Sequence, residues 1–220
     1  MKGVVWGTGV TAAAVAALLR GARDWGATAA ERVMPLPGED LVAEPAAAVT
    51  RAVGIAAPAA EVWRWLVQIG QDRGGMYSYD RLENLVGLDI HSTDEIREEW
   101  QHLGVGEEVV LVRPGWGPLA EGYALEVARV LPGEAIVLLQ SPPRHPWRAV
   151  WTFAVVPVDD AHCRLLSRSR AERGPWVVRL ATAALEPVTT VMIRRMLLGI
   201  RERAERSWRS RPAGVPAVTS

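Results

Sequence analysis

Between residues 107 and 170 the chain alternates short apolar runs with turn residues. Residues 109–112, 123–130, 135–139, 149–156 and 163–170 have strand length and are separated by Pro, Gly or Asp. Five such runs in succession predict an antiparallel meander, because short turns can join only antiparallel neighbours. Upstream, residues 50–55 read as one more strand, Pro58 stops it, and Val62, Trp65, Leu66 and Ile69 then recur at helical spacing. Gly70, Gly74 and Gly75 end that helix and predict a tight irregular loop, followed by short helices over 80–85 and 93–102. A long helical pattern closes the chain from 176 to 208, with Leu185, Val188, Met192, Met196, Ile200 and Ala204 three or four positions apart. Pro187 removes a backbone donor inside it, which predicts a kink or interruption near Ala184. The order of elements predicts an α+β domain.

The strand patterns also assign faces. Trp147, Ala149, Trp151, Phe153 and Val155 share one side of their strand. In the last strand Arg164, Leu166, Arg168 and Arg170 alternate with Leu165, Ser167 and Ser169, which predicts an Arg row toward water and small residues facing inward. Small inward side chains leave space.

Outside the periodic region, residues 26–48 are punctuated by Pro, Gly and Ala and read as a connector with one helical turn near 29–33. The folded domain is expected over 49–209, with a disordered tail over 210–220. Residues 1–25 form a separate apolar segment: Val4 to Leu19 carries no charge and is followed by Arg20 and Arg23. A helix of that length rises about 24 Å, short of the roughly 20 residues of a full span. A single membrane anchor, an interfacial helix, a soluble helix and a cleaved signal peptide all remain open, although Arg20 interrupts the expected cleavage region. The expectation is membrane association through residues 4–19, with the rest of the chain cytoplasmic. Gly7-Thr-Gly-Val-Thr-Ala12 also mimics a dinucleotide fingerprint, but Met34-Pro-Leu-Pro-Gly-Glu-Asp40 stands where a second strand ending in an acid is needed. No cofactor is expected.

Composition narrows the function classes. The 220 residues suit one domain, and Lys plus Arg balance Asp plus Glu at 25 each, so no basic excess points to nucleic acid. One cysteine, Cys163, excludes an internal disulfide framework and a zinc cluster of Cys type. It lies in a strand without a local His and reads as a core thiol. His91, His102, His145 and His162 form no metal-binding spacing, so no metal site is expected. Ten Trp against one Phe make indole the main aromatic packing group, available to line a pocket as well as a core.

The densest polar and aromatic stretch is Gln71 to Asn84. Asp80, Glu83 and Asn84 stand at i, i+3 and i+4, so a helix there presents two carboxyls and an amide from neighbouring positions, with Tyr77 and Tyr79 just before them. In an apolar pocket, desolvation would raise a carboxyl pKa and create a general acid or base. In the structural alternative, favoured for any single residue, Asp80 caps the helix while Glu83 or Asn84 bonds backbone and holds the glycine loop. His91 is the histidine nominated for a site, against a helix-capping or surface role. Trp65 lines up with Val62 and Ile69 and is expected to face inward. Trp116, within Pro114-Gly-Trp-Gly-Pro118, is a candidate gate or membrane contact, with plain loop packing as its alternative.

The strand–helix junction Ile55-Ala-Ala-Pro-Ala-Ala-Glu-Val-Trp63, followed by Trp65-Leu-Val-Gln-Ile-Gly-Gln-Asp-Arg-Gly-Gly-Met-Tyr-Ser-Tyr-Asp-Arg-Leu-Glu-Asn-Leu85, resembles the START/Bet v 1-like superfamily, also called SRPBCC or polyketide cyclase/dehydrase-like. The second stretch resembles a bacterial subgroup to which no reaction is assigned. Met76 stands where that subgroup has an aromatic. The resemblance implies a helix-grip fold, in which a curved antiparallel sheet wraps a long C-terminal helix and leaves an elongated apolar cavity. It implies binding of a small hydrophobic, lipid- or polyketide-like ligand more firmly than catalysis. Trp151 and Met192 join the residues discussed above as candidates for the cavity or its mouth. The alternatives are a cyclase or dehydratase using a carboxyl or Tyr of 77–84, and a protein-interaction module working through the Arg-lined strand or the long helix.

Overall fold

The computed structural model describes residues 23–117 and 119–211. The apolar segment 4–19, with its anchor, signal and fingerprint readings, and all but the first two residues of the 210–220 tail lie outside them. Among the described residues, no helix is long and apolar enough to cross a membrane.

Six runs rich in Val, Ala, Leu and Ile pair into one antiparallel sheet: β1 (Ala47–Ile55), β2 (Glu108–Val112), β3 (Tyr123–Leu131), β4 (Ala135–Gln140), β5 (Ala149–Asp159) and β6 (His162–Ala171). Their order across the sheet is β1-β6-β5-β4-β3-β2, so β1 and β2 are free edges and the sheet does not close. Register shifts between Val110 and Val112, Val127 and Arg129, and Pro157 and Asp159 interrupt the pairing, and such irregularities bend strands. The resulting curved sheet grips a long helix, giving the helix-grip α+β fold expected above.

Among the described residues the sheet is accompanied by the helices α1 (Ala29–Val33), α2 (Ala59–Val67), α3 (Asp80–Leu85) and α4 (Trp176–Arg209). α2 buries Val62, Trp65 and Leu66, and α4 buries Met196, Leu197, Ile200 and Ala204, all in one core with Val53, Ile55, Ile136, Phe153 and Leu165 of the sheet. α4 runs through Pro187 without interruption. The carbonyl that loses its donor there belongs to Ala183, in an exposed turn where water can replace the bond. The apolar spacing along α4 does not mark one buried face: Met196, Ile200 and Ala204 are buried, whereas Leu185 and Val188 are more than half exposed.

Two expectations are corrected. No helix forms over 93–102, which contains only a 3-10 turn at Glu98–Trp100. The Thr93 hydroxyl takes the N–H of Glu95 at 3.1 Å, and the Gln68 amide binds the carbonyl of Glu95 and the N–H of Arg97, so side chains take bonds that a helix would make.

Nor does the Arg row of β6 face water. It clamps residues 26–43 onto the outer face of the sheet as a second layer. Arg164 forks onto Glu31 at 2.7 and 2.8 Å and reaches the Gly26 carbonyl. Arg168 is buried, donating to the Thr50 hydroxyl at 2.9 Å and the Met34 carbonyl at 2.6 Å, and to Glu39 and the Glu31 carbonyl. Arg170 holds the carbonyls of Val42 and Ala43 at 3.0 Å each. Between these polar ties, Leu36 packs on Ala52, Ala135, Ala154 and Leu166, and Val42 on Val137 and Val150. Thr28 and Glu31 form a capping box at the start of α1, and the Arg164 guanidinium foremost pulls the Glu31 carboxyl down to a pKa of about 2.

Candidate functional site

In the irregular chain between α2 and β2, polar side chains of the Gln71–Asn84 stretch add to the bonds that the backbone makes with itself. Gly70 and Gly75 pair through two backbone bonds of 3.1 and 2.8 Å, closing a tight loop. Gln71 receives the Arg113 N–H at 2.7 Å and donates to the Leu88 carbonyl at 2.5 Å. Asp80 accepts from both the N–H and the hydroxyl of Ser92 at 2.7 Å. The Asn84 side chain bonds both backbone groups of Ile90, at 2.8 and 2.6 Å.

Tyr77 is the hub that fixes this loop on the core. Its φ is +53°, its hydroxyl donates to the Trp65 carbonyl at 3.1 Å and accepts from the Gln68 amide at 3.0 Å, and its ring meets Trp65 edge to face at 6.1 Å. Burial pushes its phenol pKa strongly upward, so it stays neutral. Gly199 of α4 packs on its backbone so closely that a methyl there would collide with the Tyr77 carbonyl. The Ser78 hydroxyl bonds the Met192 carbonyl at 3.3 Å, a second tie to α4.

This scaffold borders a partly open apolar pocket of about 190 Å³. Met76, Ser78, Leu88 and Ile90 come from the loops and Glu83 from α3. Leu111 and Val112 come from β2, Trp151 from β5, and Met192, Ile193 and Met196 from α4. The β2 irregularity lets two consecutive residues reach one cavity, which a regular strand would send to opposite faces. Trp151 is held by a 2.8 Å bond from its indole N–H to Ser167, so the small inward residue of β6 seats an indole.

Glu83 is the exceptional member of this wall. The residue is 3% exposed, and its Oε2 has no hydrogen-bond partner. Burial foremost, then the nearby charge of Asp80, raises its pKa, against smaller pulls from the Ser78 hydroxyl and the Tyr79 backbone. A carboxyl in this setting holds its proton into a higher pH range.

The sequence candidates therefore occupy different places. Glu83, Trp151 and Met192 meet at the pocket. Trp65 and Tyr77 lie in the packed core behind it, with the Trp65 indole on Ser207 at 3.3 Å. Asp80 and Asn84 are turned to the loop backbone, and Tyr79 is partly exposed at the start of α3. The Trp116 indole donates to the Val86 carbonyl at 2.7 Å, pinning its loop just beyond α3. His91 is exposed and bonded to Asp89 at 2.9 Å, on a separate polar groove of about 360 Å³. In that groove Arg113 pairs with Asp72 and Asp89, and Arg73 donates to the carbonyls of Trp100 and His102, so its cations are already engaged. Among the described residues no group of three His, Cys, Asp or Glu is placed to hold a metal.

Of the remaining pocket residues, Met76 drew notice as a departure from the resembled subgroup, and Met196 belonged to the α4 periodicity. Ser78, Leu88, Ile90, Leu111, Val112 and Ile193 carried no sequence signal toward a site.

No family model matches the chain, and no curated protein matches it. Solved structures do. A structural-genomics protein from Mesorhizobium loti is 17% identical with a TM-score of 0.43, over 73% of this chain and 98% of its own. A second, from Thermobifida fusca, is 22% identical with a TM-score of 0.43, over 72% and 93%. A norcoclaurine synthase point mutant from Thalictrum flavum, in complex with a transition-state analogue, is 17% identical with a TM-score of 0.43, over 73% and 95%. These likenesses concern the fold alone. The open six-stranded sheet gripping α4 has the helix-grip architecture expected from the sequence.

Proposed function

We propose that the chain binds a small, mainly apolar molecule in the pocket between α3, β2, β5 and α4, with one polar group of that molecule bonded to Glu83. The observation that carries this reading is the unpartnered Oε2 of a buried carboxyl, on a residue of a mainly apolar wall. Burying a polar atom without a partner is costly, and a ligand hydroxyl or carbonyl would remove that cost. At about 190 Å³ the pocket is smaller than the usual 300–1,000 Å³ of drug-sized sites, so it suits a single ring or one end of a longer molecule. Three methionines add adaptable walls.

The test is a thermal-shift and native mass spectrometry screen of the full chain against ring-sized phenols, lactones and short acyl compounds. Binding by the wild type that is lost in Met196→Trp, which fills the pocket, supports the reading. Equal binding by both proteins, or none by either, would sink it.

Glu83 also favours a second reading, in which the bound molecule exchanges a proton with this carboxyl, as in a cyclisation or dehydration. Proton transfer needs a group whose pKa lies near the working pH, and the upward shift moves Glu83 in that direction. Glu83→Gln that keeps ligand binding but loses turnover of a bound compound would support it; undiminished turnover would exclude it.

A further inference from the structure

β1 places a cation among the inner residues of the sheet. Arg51 alternates with Val53 and Ile55, which belong to the core, and stands in register with Ser167 of β6. The residue is 3% exposed. A guanidinium carries five N–H donors, and burying one is costly unless its charge and its donors are met. Those of Arg51 are met poorly. Among the described residues it makes two bonds, both through Nη2, to the Thr190 hydroxyl at 2.8 Å and to Glu186 Oε1 at 3.4 Å. Its Nε is buried without a partner. The Glu186 contact is long for a charge-assisted bond, and the same Oε1 accepts from Arg23 at 3.2 Å. Glu186 is also 34% exposed, so this counter-charge sits partly in water. Burial foremost lowers the Arg51 pKa in spite of Glu186 and Asp24, whose charges do not offset the loss of solvent.

Two lines of contact join Arg51 to the apolar pocket. Across the sheet, its register partner Ser167 accepts the indole N–H of Trp151, a pocket residue. Along α4, Thr190 is followed at i+3 by Ile193, another pocket residue, so the Arg51 contact lies within one helical turn of the pocket wall.

We propose that Arg51 anchors a carboxylate, and that the molecule taken by the pocket is an acid whose apolar tail enters beside Trp151 and Ile193. This rests on the pocket reading above and adds the class of head group. A carboxylate is planar and accepts two parallel N–H bonds from one edge of a guanidinium. The incoming head takes the place that Glu186 holds at Nη2 and adds a bond at the unpartnered Nε, while Glu186 keeps Arg23. Glu186 is thus the resident stand-in for the ligand's own carboxylate.

The test is calorimetric titration of the full chain with 4-hydroxyphenyl alkanoates of increasing chain length, each beside its primary amide, which matches the acid in shape and lacks the charge. The expected result is that the best acid binds the wild type at least tenfold more tightly than its amide. Arg51→Met should bring acid and amide within twofold by weakening the acid alone. Glu186→Gln, at a partly exposed site, should tighten the acid at least threefold and leave the amide unchanged, a gain that a purely structural Arg51–Glu186 tie does not produce. Equal binding of acid and amide by the wild type would overturn the anchor and leave the pocket reading standing. An acid preference that persists in Arg51→Met would overturn it as well, and so would Glu186→Gln that fails to tighten the acid. Where Arg51→Met does not fold, the wild-type ratio and Glu186→Gln decide. Binding of neither acids nor amides would overturn both readings.

Discussion

Asp80 and Glu83 stand one turn apart on α3 and have opposite surroundings. Asp80 accepts two bonds of 2.7 Å from Ser92, whereas the buried Glu83 carboxyl keeps one oxygen without a partner in the wall of an apolar pocket. The first carboxylate builds the loop, and the second belongs to a residue of the pocket wall.

Glu83→Gln should flatten the pH dependence of stability. The raised pKa means that the folded chain holds a proton that the unfolded chain releases near pH 4.5. The wild type is therefore favoured fully at low pH and loses that contribution as pH rises through the raised value. Urea denaturation from pH 4 to 8 should show this decline in the wild type and not in the variant; parallel curves would contradict it.

Asp80→Asn should act on both parts. Removing the charged acceptor of two bonds should cost about 2–3 kcal/mol and speed hydrogen exchange around Ser92. It should also lower the Glu83 titration midpoint, because the Asp80 charge is one cause of its elevation. Carboxyl-selective NMR titration measures that shift directly.

Gly199→Ala should destabilise the protein although it improves helix propensity. An Ala in a helix interior is normally worth about 1 kcal/mol over Gly. Here the added methyl meets the Tyr77 carbonyl, and overpacking of this kind costs about 1–3 kcal/mol. A lower melting temperature is expected.

Arg168→Met tests the outer layer. Breaking a buried pair by removing one partner costs about 3–5 kcal/mol, and the partly exposed Glu39 places this site near 3 kcal/mol. Trypsin should then cut at Arg32 well before the sheet unfolds, because residues 26–43 lose their central tie.

The six strands were legible because turn residues bound each apolar run, and α2 and α3 because Pro58 and the glycines bracket them. The outer layer was not. Alternation told that Arg164, Arg168 and Arg170 share a face of β6, but whether that face meets water depends on a distant segment, 26–43, whose own pattern is irregular. The same limit applied at the site. Spacing presented Asp80, Glu83 and Asn84 as equivalents, and what distinguishes them is that Ser92 and Ile90 return to meet two of them. Those partners lie in a stretch without periodicity, fixed by side-chain bonds such as Thr93 to Glu95. The shift in β2 that turns both Leu111 and Val112 to the pocket leaves no mark in a run of Val and Leu.

The central claim is most directly tested by methionine methyl NMR during ligand titration. Of five methionines, Met76, Met192 and Met196 line the pocket, while Met34 lies on the opposite face of the sheet beside Leu36. A ring-sized amphipathic compound that binds as proposed should shift the three pocket methyls together and saturably, leaving Met34 unmoved. Shifts confined to Met34, or no saturable shift at Met76, Met192 and Met196 with any compound of the panel, would contradict it.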